Sequence, residues 1–460
     1  MFFKQFLRDD LGCASYLIGD PGAGECVVVD PQWDITEYVN VARKQGMSIR
    51  YVIETHNHAD HVSGHGKLAQ LGAQIAVHED AGVEYPHLSL KDGETIQVGG
   101  VRLQTLHTPG HRPEHIAVAV TDTSRADTPW LVLTGDSLFV GDVGRPDLAI
   151  EAQEGASTLY RSLRDKLLAL HDGVEIYPAH VSGSLCGKSM SPKPSSTIGF
   201  ERLYNSALLA PDAESFVKQT TSELPPQPPH FQRIVEKNRG PFLIQEPAAR
   251  PLQVEEVETL ARQGALILDV RSPEAFGGGH IPGALNVDLH GGQFGTRASW
   301  LIKPDKPVVL VTETADDFHD ALSSLIAVGQ DNIAGYLMGG MHAWDTSGRP
   351  LETVRQISAA ELYERIAAGD KALQVVDVRE ESEWKEGHVP EAIHIPFHQL
   401  TSRLDQLPSN KPIAAICGGG TRSSIAASIL KAEGFDPVNV SGGMGAWNQI
   451  TSARPQLKNT

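Results

Sequence analysis

The sequence predicts an α/β multidomain chain, and three observations carry that expectation. Its 460 residues suit about three domains. The first half alternates short apolar runs with polar clusters. The second half contains an internal repeat. Apolar content of 40% is ordinary for globular proteins, so each domain can bury a core. A formal charge of −18 argues against nucleic acid or an anionic membrane as the main partner.

At the N-terminus, Met1-Phe2-Phe3-Lys4-Gln5-Phe6-Leu7-Arg8-Asp9-Asp10 becomes charged too soon for a secretory h-region. No apolar run approaches the roughly 20 residues of a membrane helix. The four cysteines, Cys13, Cys26, Cys186 and Cys417, are widely spread with no metal-type pair spacing. That usage suits a reducing cytoplasm, and the expected location is cytoplasmic, with no membrane partner.

Two apolar runs, Tyr51-Val52-Ile53 and Trp130-Leu131-Val132-Leu133, have the composition of buried strands. The first runs into Thr55-His56-Asn57-His58-Ala59-Asp60-His61, the second into Thr134-Gly135-Asp136. Ligands just beyond strand ends are held stiffly and stay reachable. His56, His58, Asp60 and His61 crowd one such loop. His111, in Thr108-Pro109-Gly110-His111, Asp136, and His180, in Tyr177-Pro178-Ala179-His180, occupy similar settings. Imidazole and carboxylate suit zinc, iron and manganese, and the mixture selects none of them. Packing several imidazoles beside carboxylates has little structural benefit without a cation. His65, His78, His87, His107 and His171 read instead as hydrogen-bonded surface or core groups. Cys13 and Cys26 fall in expected strands and read as core. Cys186 lies in a Gly/Ser-rich loop near His180, where it reads as a sulfur relay or as a semi-buried structural thiol.

Together His56, His58, Asp60, His61, His111, Asp136 and His180 resemble the full ligand pattern of the metallo-β-lactamase superfamily. The resemblance covers residues 1–210. It implies an αββα metallo-β-lactamase sandwich, two sheets between helices with the metal at one edge. Two branches of that superfamily compete. In glyoxalase II-like hydrolases all seven ligands hold two zinc ions, and a bridging hydroxide attacks a thioester. In persulfide dioxygenases one Fe(II) per chain sits on the residues matching His56, His111 and Asp136, a two-histidine, one-carboxylate triad with open positions. His58, Asp60, His61 and His180 then orient the ligands.

Ligand identity alone does not separate the branches, and three features favour the second. Gly110-His111-Arg112-Pro113-Glu114-His115 looks like the dioxygenase branch, with Glu where glyoxalases often have Gly. Phe139-Val140-Gly141-Asp142-Val143-Gly144-Arg145-Pro146-Asp147-Leu148 is similar to a segment typical of persulfide dioxygenases. The sulfur context of the second half, described next, agrees. Val181-Ser182-Gly183-Ser184-Leu185-Cys186-Gly187 resembles the bacterial rhodanese-fused branch and departs from the mitochondrial type.

Residues 211–250, with Leu224-Pro225-Pro226-Gln227-Pro228-Pro229, read as a helical and proline-rich linker. Beyond it Leu268-Asp269-Val270-Arg271 recurs as Val376-Asp377-Val378-Arg379, and Gly279-His280-Ile281-Pro282 as Gly387-His388-Val389-Pro390. Gly339-Gly340-Met341-His342-Ala343-Trp344 recurs as Gly442-Gly443-Met444-Gly445-Ala446-Trp447. A unit this long is no solenoid repeat and reads as two tandem α/β domains, at 251–352 and 356–460.

In the second copy Cys417-Gly418-Gly419-Gly420-Thr421-Arg422 follows the apolar strand Ile413-Ala414-Ala415-Ile416 and precedes a helical run. Glycines let successive backbone N–H groups turn inward around the sulfur. The helix N-terminus and Arg422 add positive potential that holds a persulfide or thiosulfate anion. This copy resembles the rhodanese sulfurtransferases, which gives Asp377, Arg379 and His388 scaffold roles. In the first copy Thr312 stands opposite Cys417, followed by Glu313-Thr314-Ala315-Asp316-Asp317. A hydroxyl cannot carry a persulfide sulfur, so the first copy is expected to serve as a docking or spacer domain.

The resemblance therefore implies an Fe(II) persulfide dioxygenase fused to two rhodanese domains of which the second keeps its cysteine. Its expected partners are low-molecular-weight persulfides, O₂, sulfite and thiosulfate, in a homo-oligomer suited to sulfide detoxification. The alternative is a dinuclear zinc thioesterase with accessory rhodanese domains. A third reading makes the rhodanese half an interaction module that recruits sulfur carriers.

Overall fold

The computed structural model describes residues 1–222, 224–245 and 247–454. The chain divides into two compact units. The first comprises residues 1–245 with Ile326–Gly329, the second residues 246–325 and 330–460. Among the described residues no helix is long and apolar enough to cross a membrane.

The first unit has two six-stranded sheets. One runs in chain order through β1 (Phe2–Arg8), β2 (Cys13–Asp20), β3 (Glu25–Val29), β4 (Ser48–Ile53), β5 (Gln74–His78) and β6 (Leu88–Leu90). The other holds β7 (Thr95–Val98), β8 (Val101–His107), β9 (Ile116–Asp122), β10 (Leu131–Gly135), β11 (Glu175–Pro178) and β12 (Ser196–Thr197). Residue alternation along the strands builds the layers. Tyr16, Ile18, Val27 and Val29 face Val118, Val120, Leu131 and Leu133 in one core between the sheets. The intervening Leu17, Cys26 and Val28 point outward onto Tyr38 and Ala42 of the helix Thr36–Lys44. Ala117 and Val132 point outward onto Leu159 of the helix Ala152–Ser162. The result is the expected αββα sandwich.

Residues 211–245, read from sequence as part of a linker, belong to this first unit. They carry the helices Ala213–Thr221 and Phe231–Arg239, both with buried apolar residues. Pro225, Pro226, Pro228 and Pro229 break regular structure as expected, but the segment is tied down. The Pro225 carbonyl accepts from Arg145 Nη2 at 2.7 Å, and Gln227 Nε2 donates to the Asp147 carbonyl at 2.9 Å.

The second unit repeats one design twice. β13 (Arg250–Leu252), β14 (Leu266–Asp269), β15 (Leu285–Asn286), β16 (Val308–Val311) and β17 (Ile333–Leu337) form an all-parallel sheet in the order β13-β17-β16-β14-β15. β18 (Arg355–Ser358), β19 (Gln374–Asp377), β20 (Ile393–His394), β21 (Ile413–Ile416) and β22 (Pro437–Ser441) repeat it as β18-β22-β21-β19-β20. The sequence repeats have matching geometry. Arg271 Nη2 bonds Asp269 at 2.6 Å and the Gly279 carbonyl at 2.9 Å. Arg379 Nη2 bonds Asp377 at 2.7 Å and the Gly387 carbonyl at 2.8 Å. His280 stacks on Phe276 as His388 does on Trp384. These groups brace the fold, in line with the scaffold roles expected of Asp377, Arg379 and His388. Residues 455–460, the end of the second expected domain, lie outside the described residues.

Candidate metal centre and cysteine loop

The loops that follow β4, β8, β10 and β11 bring all seven expected ligand residues to one edge of the sandwich, and all are buried. Three donor atoms converge there. His56 Nε2 lies 3.8 Å and His111 Nε2 3.4 Å from Asp136 Oδ2. The buried His111 Nε2 and Asp136 Oδ2 have no hydrogen-bond partner among the described residues. Polar atoms left facing one another in a desolvated site are costly unless a cation stands between them.

Neighbours fix both histidine tautomers. His111 Nδ1 lies 2.9 Å from the Arg145 carbonyl, which only accepts, so Nδ1 holds the proton and Nε2 offers its lone pair. His56 Nδ1 lies 2.9 Å from Thr55 Oγ1, whose own proton goes to Asp30 Oδ2 at 2.9 Å. His56 therefore donates from Nδ1 and turns a free Nε2 toward Asp136. Burial, then the imidazoles of His58 and His111, pushes His56 well below its usual value, and burial lowers His111. Asp136, which burial alone raises, is brought down to about 2 by His180. Two neutral imidazoles and one carboxylate are the donor states that a divalent ion such as Fe(II) takes.

The other four expected ligand residues make polar contacts of their own, though His58 Nδ1, Asp60 Oδ1 and His61 Nε2 are buried without a hydrogen-bond partner among the described residues. His58 Nε2 turns to Asp30 Oδ1 at 3.1 Å and Glu54 Oε2 at 3.4 Å. Burial disfavours its charged form, but Asp30 and then Glu54 hold it well above its usual value. His180 spans two carboxylates, Nδ1 to Asp136 Oδ1 at 2.6 Å and Nε2 to Asp60 Oδ2 at 2.7 Å. Asp60 Oδ2 also accepts from Cys13 Sγ at 3.1 Å, and His61 Nδ1 lies 3.4 Å from Asp60 Oδ1. Cys26 is core as expected, but Cys13 also touches the site. Cys186 is buried beside Asp60 and His180, and burial pushes its thiol up to about 12.

Several supporting groups escaped the sequence reading. Asp30 and Glu54 follow apolar strands as the ligands do, a signal that could have found them. Asn238 offered none. From the helix Phe231–Arg239 its Nδ2 donates to the carbonyls of His58 at 3.0 Å and His61 at 2.8 Å, and its Oδ1 accepts from the Ser63 amide at 2.9 Å. The two segments singled out in sequence have structural work. Glu114 accepts from Arg112 Nε at 2.7 Å and Asn57 Nδ2 at 2.8 Å, joining the loops after β8 and β4. His115 Nε2 accepts from the Asp136 amide at 2.8 Å. Gly144 passes so close beneath Asp136 that a Cβ there would meet the Asp136 carbonyl oxygen at 1.8 Å. Arg145, whose carbonyl orients His111, is pinned through its guanidinium to Asp147 at 2.7 Å and to Pro225.

In the second unit, Cys417 follows β21 and its Sγ accepts from the Gly420 amide at 3.1 Å. Ser423 Oγ lies 3.4 Å away. The helix Thr421–Ala432 starts within the loop. Arg422 departs from expectation: two bonds of 2.6 and 2.7 Å close it on Glu383, so its charge is largely compensated. In the first copy, Asp269 pairs with Val311 as Asp377 pairs with Ile416, which puts Thr312 at the Cys417 position. Thr312 Oγ1 bonds the Thr314 carbonyl at 3.0 Å.

Residues 8–180 match the family model described as metallo-beta-lactamase superfamily, and residues 253–347 and 358–450 that of the rhodanese-like domain. The mitochondrial persulfide dioxygenase ETHE1 of Bos taurus is 32% identical over 228 residues, 49% of this chain and 82% of that protein. The chain belongs to the persulfide dioxygenase family. Unlike that relative's matched region, this persulfide dioxygenase family member continues into two rhodanese-like domains. The putative sulfurtransferase YtwF of Bacillus subtilis (strain 168) is 39% identical over 101 residues, 22% of this chain and 97% of that protein. A solved structure described as a metallo-beta-lactamase from Staphylococcus aureus subsp. aureus COL matches with a TM-score of 0.66 at 33% identity, covering 73% of this chain and 98% of that chain. This persulfide dioxygenase–rhodanese fusion thus shares its likeness with that protein beyond the metal-binding unit.

Proposed function

We propose that the chain oxidises the terminal sulfur of a low-molecular-weight persulfide to sulfite at one Fe(II) per chain. Cys417 then carries sulfane sulfur between persulfide, sulfite and thiosulfate, in sulfide detoxification in the cytoplasm. The observation that carries the reading is the convergence of His56 Nε2, His111 Nε2 and Asp136 Oδ2 while His58 and His180 are held by carboxylates. A two-metal hydrolase draws on His58 and His180 as ligands. Here His180 is taken up by two carboxylates, while the buried His58 Nδ1 and His61 Nε2 have no hydrogen-bond partner among the described residues, so the metal count decides between the readings. Four unpaired cysteines support a reducing compartment.

Fe(II) bound to this triad supplies an electron-rich centre at which O₂ can react with a sulfur anion. The chain's own residues hold the donors in place: Arg145 and Thr55 set the imidazole tautomers, and His115 fixes the Asp136 backbone. The reaction balances as RSSH + O₂ + H₂O giving RSH, sulfite and two protons. At the second site, Cys417 persulfide and sulfite exchange the outer sulfur to give the Cys417 thiolate and thiosulfate. The Gly420 amide and the helix N-terminus stabilise that thiolate.

Anaerobic purification with metal analysis and O₂ uptake on glutathione persulfide tests the first site. One iron per chain with O₂ consumption and sulfite release is expected. Two zinc ions with thioester hydrolysis and no O₂ consumption would overturn the reading. Assembly as a homo-oligomer, which the family resemblance implies, is read by light scattering on the purified chain.

A further inference from the structure

The copy without a cysteine is built into the Cys417 site. Leu268, Val270 and Leu310 of the first copy and Val376, Ile413, Ala415 and Cys417 of the second share one buried cluster. Polar contacts cross the same seam. Ser424 Oγ lies 2.6 Å from Asn286 Oδ1, and the Asn286 amide donates to Ser428 Oγ at 3.0 Å. Both serines ride on the helix Thr421–Ala432, which the cysteine loop feeds.

At the head of that helix the first copy presses in further. Gly291 approaches so closely that a Cβ there would lie 2.9 Å from Thr421 Cγ2. Arg297, on the helix Phe294–Ser299, donates from Nη1 to the Gly291 carbonyl at 2.9 Å and to Thr421 Oγ1 at 3.3 Å. Thr421 belongs to the cysteine loop itself. Arg297 is half-buried, and among the described residues it has no carboxylate at ion-pair distance; Asp288 and Glu383 act on it only from farther away. Burial, then the like charge of Arg422, lowers its pKa, and Cys417 opposes that shift. The loop's own arginine is closed on Glu383, whereas among the described residues Arg297 has a carbonyl and a hydroxyl for partners. A planar guanidinium in that state matches the oxygens of a sulfur oxyanion.

We propose that the cysteine-less copy supplies, through Arg297, the cation that receives the anionic end of thiosulfate or sulfite at Cys417. The two copies thereby form one sulfurtransferase site. The inference rests on the reading of Cys417 as the sulfur carrier.

The full chain is assayed for thiosulfate-to-cyanide sulfur transfer. Loss of a contact made equally in ground and transition states raises KM and spares kcat. Arg297→Gln is expected to raise the KM for thiosulfate about tenfold or more with kcat within about threefold, and Arg297→Lys, which keeps the charge but not the planar fork, to recover only part of that loss. A direct binding measurement covers the case in which Arg297→Gln folds poorly. Cys417→Ser chain, which cannot turn over, is titrated with sulfite with and without Arg297→Lys, and the lysine is expected to weaken binding severalfold. An unchanged KM, an effect on kcat alone, or equal sulfite binding overturns the inference. Full transfer activity in Cys417→Ser instead removes the carrier reading on which it rests.

Discussion

Neighbouring imidazoles in one short loop have opposite tasks. His56 keeps a bare Nε2 beside Asp136, while His58, two residues on, turns its Nε2 to Asp30 and Glu54. Their rings lie only 4.2 Å apart, and what separates them is the partner each nitrogen meets. His56→Ala is therefore expected to abolish iron binding. His58→Gln should keep one iron per chain and lower O₂ uptake about tenfold to a hundredfold, the range for groups that orient ligands. Equal loss of metal in both variants would mean that His58 is a ligand. The Arg422–Glu383 pair gives a second test. Burial raises the Glu383 pKa, but Arg422 overrides it and holds the group below its usual 4.5. A depressed carboxylate stabilises the fold fully above its unfolded value and loses that contribution as the pH falls through the folded one. The Tm difference between the chain and Glu383→Gln should thus be largest above about pH 5 and shrink below pH 4. The sequence displayed the metal-binding residue types because imidazole, carboxylate and glycine cradles have few other uses at such density. It did not display Asn238 or Arg297, because each acts through a contact between segments far apart in the chain.

At the scale of elements, connectors matter as much as strands. The helix Phe231–Arg239 lies in a segment whose prolines suggest a spacer, yet Asn238 closes the carbonyls of the metal loop. Composition shows where regular structure breaks but not what the broken segment packs against. Asn238→Ala leaves those buried carbonyls unsatisfied at a cost of about 1–3 kcal/mol. A lower Tm and faster iron loss to a chelator are expected, and unchanged chelation kinetics would remove the helix from the site. The segment after β10 makes a similar demand. Gly144→Ala forces the chain away from the Asp136 carbonyl. Iron per chain should fall while the far-ultraviolet circular dichroism spectrum stays that of the parent.

For the whole molecule, the αββα sandwich and the duplicated parallel sheet followed from periodicity, turn residues and the repeat. The relation between the duplicates did not, since a missing thiol says nothing about what the rest of a domain touches. The shared buried cluster predicts that residues 356–460 expressed alone expose apolar surface and aggregate, whereas residues 247–460 form a cooperative fold. Cooperative melting of the shorter fragment would show that the copies are independent. The seam at Asn286, Gly291 and Arg297 also bears on how such a chain can change. A chimera that exchanges the thiol-bearing copy for one from a distant homologue inherits a mismatched neighbour, and its turnover should suffer even with every residue of the transplanted loop intact. With Thr312 where its twin has the nucleophile, whatever the first copy gives to transfer passes through this seam, so a substitution on one side of it is expected to need a matching one on the other.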